Sequence, residues 1–133
     1  MSELRDNGYE LNIVSENDNV AGYVIMNKQF TFAESDWVVN VYFWKERLFR
    51  ISALPIPKGG GYTVEFVLAT VDKTREVFGV PRRTTFIPQK LYSAEWFSAQ
   101  TRYEITANLI EGKLVPAIFF EYLPLLQEYE ESR

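Results

Sequence analysis

Three glutamates are the residues of this chain best suited to acid–base chemistry. Glu65, Glu104 and Glu121 each fall in a segment that alternates like a β-strand. Two carboxylates facing one bond are enough for glycoside hydrolysis. Nothing in their spacing selects a pair, and on a half-buried sheet such residues face solvent. Glu121 also has a prospective cross-strand partner in Arg102. The expected role of all three is structural.

The rest of the usual catalytic set is missing. The chain has no histidine and no cysteine. That removes the imidazole, the thiolate nucleophile, the disulfide and zinc sites of the Cys/His type. Lys58-Gly59-Gly60-Gly61 has the glycines of a phosphate cradle but no Gly-Lys-Ser/Thr after them, so it reads as a flexible loop. Asn17-Asp18-Asn19 is too short for a calcium loop and reads as a turn. No catalytic residue, cofactor or metal is predicted. Enzymes working through Asp, Glu, Tyr or Arg remain the last reading.

Two other groups of residues suit binding. Lys73, Arg75, Arg82, Arg83 and Lys90 lie close in sequence to Phe78, Phe86 and Tyr92. Cations interleaved with rings fit a single-stranded nucleic acid or another polyanion. The competing expectation is a solvated loop whose aromatics are core, because the chain as a whole carries a net charge of −4. The second group is Tyr42, Trp44, Arg50 and Phe119, placed by alternation on the less apolar face of their hairpins. Tyr, Trp and Arg are enriched where proteins bind one another. Here the competing expectation is burial under helices at 93–100 and 124–131.

The elements that position these residues follow from periodicity. Tyr9–Ile13, Val20–Met26 and Phe30–Phe32 read as strands. Trp37–Trp44 and Leu48–Leu54 form a hairpin; pairing Trp44 with Leu48 sets Val41 against Ile51 and Tyr42 against Arg50. Pro55 to Gly61 is a loop. Tyr62–Val71 alternates as a further strand, followed by a short helix at 73–78 closed by Gly79. Thr84–Ile87 is a strand, and Ser93 caps a helix reaching about Gln100. Residues 102–122 form the clearest hairpin, turning at Glu111-Gly112. Its register pairs Ile110 with Lys113 and Arg102 with Glu121. Pro116 places that strand at an edge or a bulge. Pro124 begins a last helix with Leu125, Leu126 and Tyr129 on one face.

The expected fold is therefore α+β and mostly β. It has about seven antiparallel strands in a bent sheet or partial barrel, with two or three short helices, in a single domain spanning residues 1–133. Ten Phe, eight Tyr and three Trp supply the burial such a core needs. No signal peptide or bilayer-length apolar run is read, so the expectation is a cytoplasmic protein with no membrane partner. The oligomeric state is not readable. The ends are acidic: residues 1–36 hold seven acids and two bases, while residues 72–90 hold five bases and two acids. The composition points to non-catalytic recognition of a protein partner, as in an inhibitor, immunity-type or adaptor protein. Polyanion binding through residues 73–90 and a small apolar ligand inside a partial barrel are the alternatives.

Overall fold

The computed structural model describes residues 2–17, 19–33, 35–56, 62–88, 90–110 and 113–132. Two meanders meet in one open antiparallel sheet. The first contains β1 (Leu11–Asn17), β2 (Val20–Ile25), the short β3 (Phe30–Phe32), β4 (Ser35–Trp44) and β5 (Arg47–Pro55). The second contains β6 (Arg83–Ile87), β7 (Leu91–Phe97), β8 (Thr101–Ile110) and β9 (Lys113–Tyr122). The strand order is β1-β2-β4-β5-β9-β8-β7-β6, with β3 beside one end of β4. The fold is thus α+β and mostly β, as expected; the described residues form nine strands and the helices α1 (Ser2–Asp6), α2 (Val64–Phe78) and α3 (Leu123–Ser132).

The two sheet faces have different chemistry. Trp37, Val39, Val41, Ile51, Ala53, Ile118, Tyr103, Ile105, Ala94 and Trp96 alternate onto one face across successive pairings. Helix α2 packs there through Val67, Thr70, Val71 and Thr74. These positions are spaced i, i+3, i+4 and i+7, the stripe of a helix. Thr70 and Thr74 are at most 1% exposed, and each donates its hydroxyl to the carbonyl four residues earlier. Internal satisfaction of this kind lets a polar residue line a core. The opposite face carries Tyr42, Trp44, Arg50, Glu121, Arg102 and Glu95, and α3 covers one end of it through Leu125.

Several expected elements are corrected. Tyr62–Val71 is not a strand, and the helix does not begin at 73. One helix runs from Val64 to Phe78. Thr63 caps it by accepting from the Phe66 amide at 3.1 Å, and Gly79 ends it at φ 82°. The expected helix at 93–100 is strand β7, a central strand in which Ala94 and Trp96 face α2 while Ser93 and Glu95 face the other way. In the first large hairpin Trp44 pairs with Arg47 rather than Leu48. Lys45 and Glu46 form a two-residue turn with both φ angles positive, 50° and 64°. Phe49 is then an extra residue, a β-bulge that restores the expected pairing from Tyr42–Arg50 onward.

The last hairpin has the expected register throughout, from Arg102–Glu121 to Ile110–Lys113. Pro116 sits two residues beyond the last β5–β9 pair, Ala53–Ile118, where β9 has lost its continuous neighbour on that side. The expected turn at Glu111-Gly112, Asp18 and the loop residues 57–61 lie outside the described residues. No helix among the described residues is long and apolar enough to cross a membrane.

Candidate functional site

The sheet register brings Tyr42, Trp44, Arg50 and Phe119 onto one face, and intramolecular partners occupy them there. Trp44 is 4% exposed beneath α3, with Tyr129 edge-on at 6.0 Å between ring centroids. Lys45 Nζ lies 4.6 Å from the same ring centroid. Arg50 donates to Glu121 Oε2 from Nε at 3.0 Å and from Nη2 at 2.7 Å, with its guanidinium 5.8 Å from the Phe119 ring. The Tyr42 ring lies over Gly22: a Cβ built there would stand 2.7 Å from Tyr42 Cε1.

Beside this group lies a carboxylate cluster. Glu95, Glu104 and Glu121 surround Arg102, whereas Glu65 stands apart in the exposed first turn of α2. Arg102 Nη2 donates to Glu104 Oε1 at 3.0 Å. Its buried Nε faces Glu121 Oε1 at 3.4 Å and Glu95 Oε2 at 4.0 Å without hydrogen-bonding either. Burial pushes the Glu104 carboxyl up; Arg102 opposes this, and Glu95 and Glu121 add to it. Burial works against the charge on Arg102, but Glu104, Glu121 and Glu95 together hold its pKa above the ordinary value. A raised carboxylate among charged neighbours is the kind of group general acids use. Among the described residues, the clefts on the two sides of α2 are lined by other side chains than these carboxylates. Among the described residues no acidic group has the arrangement to hold a metal ion.

The basic residues are spread over two elements, Lys73 and Arg75 on α2 and the others on β6 or beside its ends. Lys73 is paired with Glu76 at 3.7 Å on α2. Arg82 lies over the Phe97 ring at 5.8 Å. Arg83 starts β6, and Lys90 lies in the turn at the other end of that strand. Four strand steps separate the ends of β6, about 13 Å.

A larger, more polar cleft of about 770 Å³ lies at the β1–β2 end, lined among others by Glu16, Asn17, Lys45 and Glu46, and an apolar one lies on the face that carries α2. The apolar cleft has a volume of about 530 Å³ and runs between the C-terminal half of α2, strand β3, α1 and the sheet. Val41, Ile51, Ala53 and Ile118 form its floor; Val77 and Phe78 of α2 stand on one side, and Leu4 and Phe30 on the other. A second apolar cleft of about 450 Å³ lies against the N-terminal half of α2, between Val64 and Leu68 on the helix and Phe86, Leu91 and Leu109 on the sheet, with Lys90 also lining it. Both have the same geometric origin. Eight strands at about 4.8 Å spacing span about 34 Å, and a single helix is about 10–12 Å wide. Helix α2 therefore cannot cover its face, and apolar strand residues are left open beside it.

The polar side chains lining the 530 Å³ cleft are Thr31, Trp37, Thr74, Tyr103 and the half-buried Tyr9. Trp37 Nε1 donates to the Phe32 carbonyl at 2.9 Å, and Thr31 donates to Asp36 at 3.0 Å. Thr74 donates to the Thr70 carbonyl at 2.9 Å. The Tyr103 hydroxyl meets Thr74 Oγ1 at 3.3 Å. Burial pushes the Tyr103 phenol up.

Alternation in the sequence puts Val39, Val41, Ile51 and Ala53 on one apolar face, and all four line this cleft. The alternation of residues 62–71 predicts a strand there, and the helix that stands over that face is α2 instead. Comparison with protein-family models, with curated proteins and with solved structures finds no match to the chain.

Proposed function

We propose that the chain is a binding protein that holds a small, largely apolar molecule in the cleft beside α2, rather than an enzyme. One observation carries this reading: a space of about 530 Å³ walled almost entirely by aliphatic and aromatic side chains. The volume falls within the roughly 300–1,000 Å³ of small-molecule sites. Apolar surface withdrawn from water contributes roughly 25 cal/mol per Å², so an apolar occupant is favoured over water on these walls.

Titration with the neutral dye N-phenyl-1-naphthylamine tests the reading. A saturable fluorescence rise with one dye per chain is expected. Ala53 lies on the cleft floor, and Ala53→Phe fills it; the affinity is expected to fall about tenfold while the native fold is kept. No saturable binding, or binding indifferent to Ala53→Phe, defeats the reading.

Recognition of a protein is the second reading, and one observation favours it. Val77, Phe78 and Val80 follow one another at the end of α2 with exposures of 71%, 51% and 80%. Apolar residues clustered at a surface mark interaction sites more often than scattered ones do. Val80 does not line the 530 Å³ cleft, so Val80→Asp separates the two readings. A protein partner held by the wild type is lost in this variant, while dye binding is unchanged.

A further inference from the structure

The hydrogen-bond accounting of the cleft specifies its ligand further. Thr74 has one hydroxyl proton, and the Thr70 carbonyl takes it at 2.9 Å. In the 3.3 Å contact between the two hydroxyls the donor is therefore Tyr103. That distance is long against the usual 2.7–2.8 Å or so of an O–H···O bond. Neither Trp37, Thr31 nor Thr74 has a proton to spare for a ligand, since each donates to a protein oxygen at 3.0 Å or less. Tyr103 is 7% exposed, so its hydroxyl has little water to turn to. Its ring is clamped by Phe120 at 4.5 Å, Phe78 at 5.1 Å and Trp96 at 5.5 Å, which fixes where the oxygen points. The other phenol lining the cleft, Tyr9, is half-buried, with Lys28 Nζ 5.6 Å from its ring centroid, whereas Tyr103 is buried. A fixed, weakly engaged hydroxyl among mostly apolar walls is the arrangement that orients a ligand.

We infer that the cleft's ligand is a compact, mostly hydrocarbon molecule with a single hydroxyl or ketone oxygen, and that Tyr103 recognises that oxygen. This rests on the proposed function and deepens it. A ligand hydroxyl donates to the phenol oxygen while Tyr103 keeps its contact with Thr74. A ligand ketone instead accepts the Tyr103 proton in place of Thr74, at no cost to the Thr74–Thr70 bond. The phenol does both as a neutral group, which agrees with the upward push of burial on its ionisation.

Fluorene, 9-fluorenol and 9-fluorenone share one ring skeleton and differ only at one carbon. Their affinities for the wild type and for Tyr103→Phe provide the test. A neutral hydrogen bond changes affinity by about fivefold. The variant is expected to bind fluorenol, fluorenone or both about fivefold more weakly than the wild type, and fluorene equally well. The ligand that loses affinity tells whether Tyr103 accepts from a hydroxyl or donates to a ketone. If the variant changes all three affinities alike, or none, the role of Tyr103 is overturned and the cleft stands. If the wild type binds none of the three, both fail. A readout on the wild type alone guards against a variant that does not fold. The carbonyl stretch of bound fluorenone shifts below its position in hexane where Tyr103 donates to it. A hexane-like stretch combined with no preference for fluorenol over fluorene overturns the inference.

Discussion

Arg50 grips a single oxygen of Glu121, Oε2, with Nη2 at 2.7 Å and Nε at 3.0 Å, while Arg102 approaches Oε1 at 3.4 Å. The three residues stand in one row across β5, β9 and β8, because Arg50 and Arg102 are both register partners of Glu121. Glu121 is 3% exposed, so its charge is tolerated only through these two cations.

Removing that carboxylate leaves two guanidiniums sharing less counter-charge. Breaking a fully buried pair costs about 3–5 kcal/mol. Here the arginine side chains are 40% and 31% exposed, and solvent screens the loss. Glu121→Ala is expected to lower unfolding free energy by about 2 kcal/mol, whereas Glu65→Ala, on the exposed first turn of α2, changes it by less than about 0.5 kcal/mol. Urea unfolding of both variants measures the contrast. Equal effects would mean that the row of charges is surface decoration.

Glu104 gives the molecule a pH dependence of definite sign. Burial raises its carboxyl above the ordinary value, which is about 4.3 for glutamate. The folded chain then holds this proton more tightly than the unfolded chain does. The contribution to stability is full below the ordinary value and is lost as pH rises through the raised one. Relative to Glu104→Gln, which does not titrate, the wild type should therefore lose stability as pH increases across that window. Melting temperatures of the two proteins from about pH 4 to 7 provide the check. A gap that moved in the wild type's favour with rising pH would contradict the assignment. With no histidine in the chain, no imidazole contributes to the curve.

Gly22 carries the packing of the first meander. A side chain there would stand 2.6 Å from Ser15 Oγ and 2.7 Å from Tyr42 Cε1, closer than real Cβ contacts come. Gly22→Ala must displace the Tyr42 ring, and overpacking of this kind costs about 1–3 kcal/mol. Combining Gly22→Ala with Tyr42→Ala should cost less than the sum of the two single changes, because the clash with the ring disappears and only the contact with the rotatable Ser15 hydroxyl remains. Strict additivity in that cycle would show that the ring yields freely.

How much was legible in the sequence differs from element to element for physical reasons. Strands β8 and β9 alternate cleanly, so the whole register from Arg102–Glu121 to Ile110–Lys113 follows from the pattern. Helix α2 was hidden because Tyr62, Val64, Phe66 and Leu68 alternate apolar with polar like a strand, while two of its four buried positions are Thr70 and Thr74. A threonine counts as polar in a pattern, yet here each hydroxyl is satisfied by its own helix. Glu95 was missing from the carboxylate set because Ser93 and Glu95 resemble a helix cap, and only pairing with both β6 and β8 turns that segment into a central strand. The cleft was not legible at all. It is set by the ratio of sheet width to helix width, and no single segment of the chain carries that ratio.

The turn at Lys45-Glu46 leads to the last prediction. Both residues are held in the left-handed region, φ 50° and 64°, where a side chain costs about 1–2 kcal/mol. Two-residue hairpin turns of this kind favour Asn-Gly, and this chain has neither residue there. The tight turn is nevertheless coupled to the packing of α3: it pairs Phe43 with Leu48 and leaves Phe49 as the bulged residue, buried against Trp44 and Leu125. Lys45 also places its ammonium on the Trp44 ring, so Glu46 is the position to relieve. Glu46→Gly removes the left-handed strain, partly offset by the roughly 0.5–1 kcal/mol that glycine's chain entropy costs. The variant is expected to be more stable by about 0.5–1 kcal/mol. Its urea midpoint should rise with an unchanged slope, since the native surface is the same. An unchanged or lower midpoint would mean that the turn is not under strain, and that the bulge at Phe49 alone sets the register.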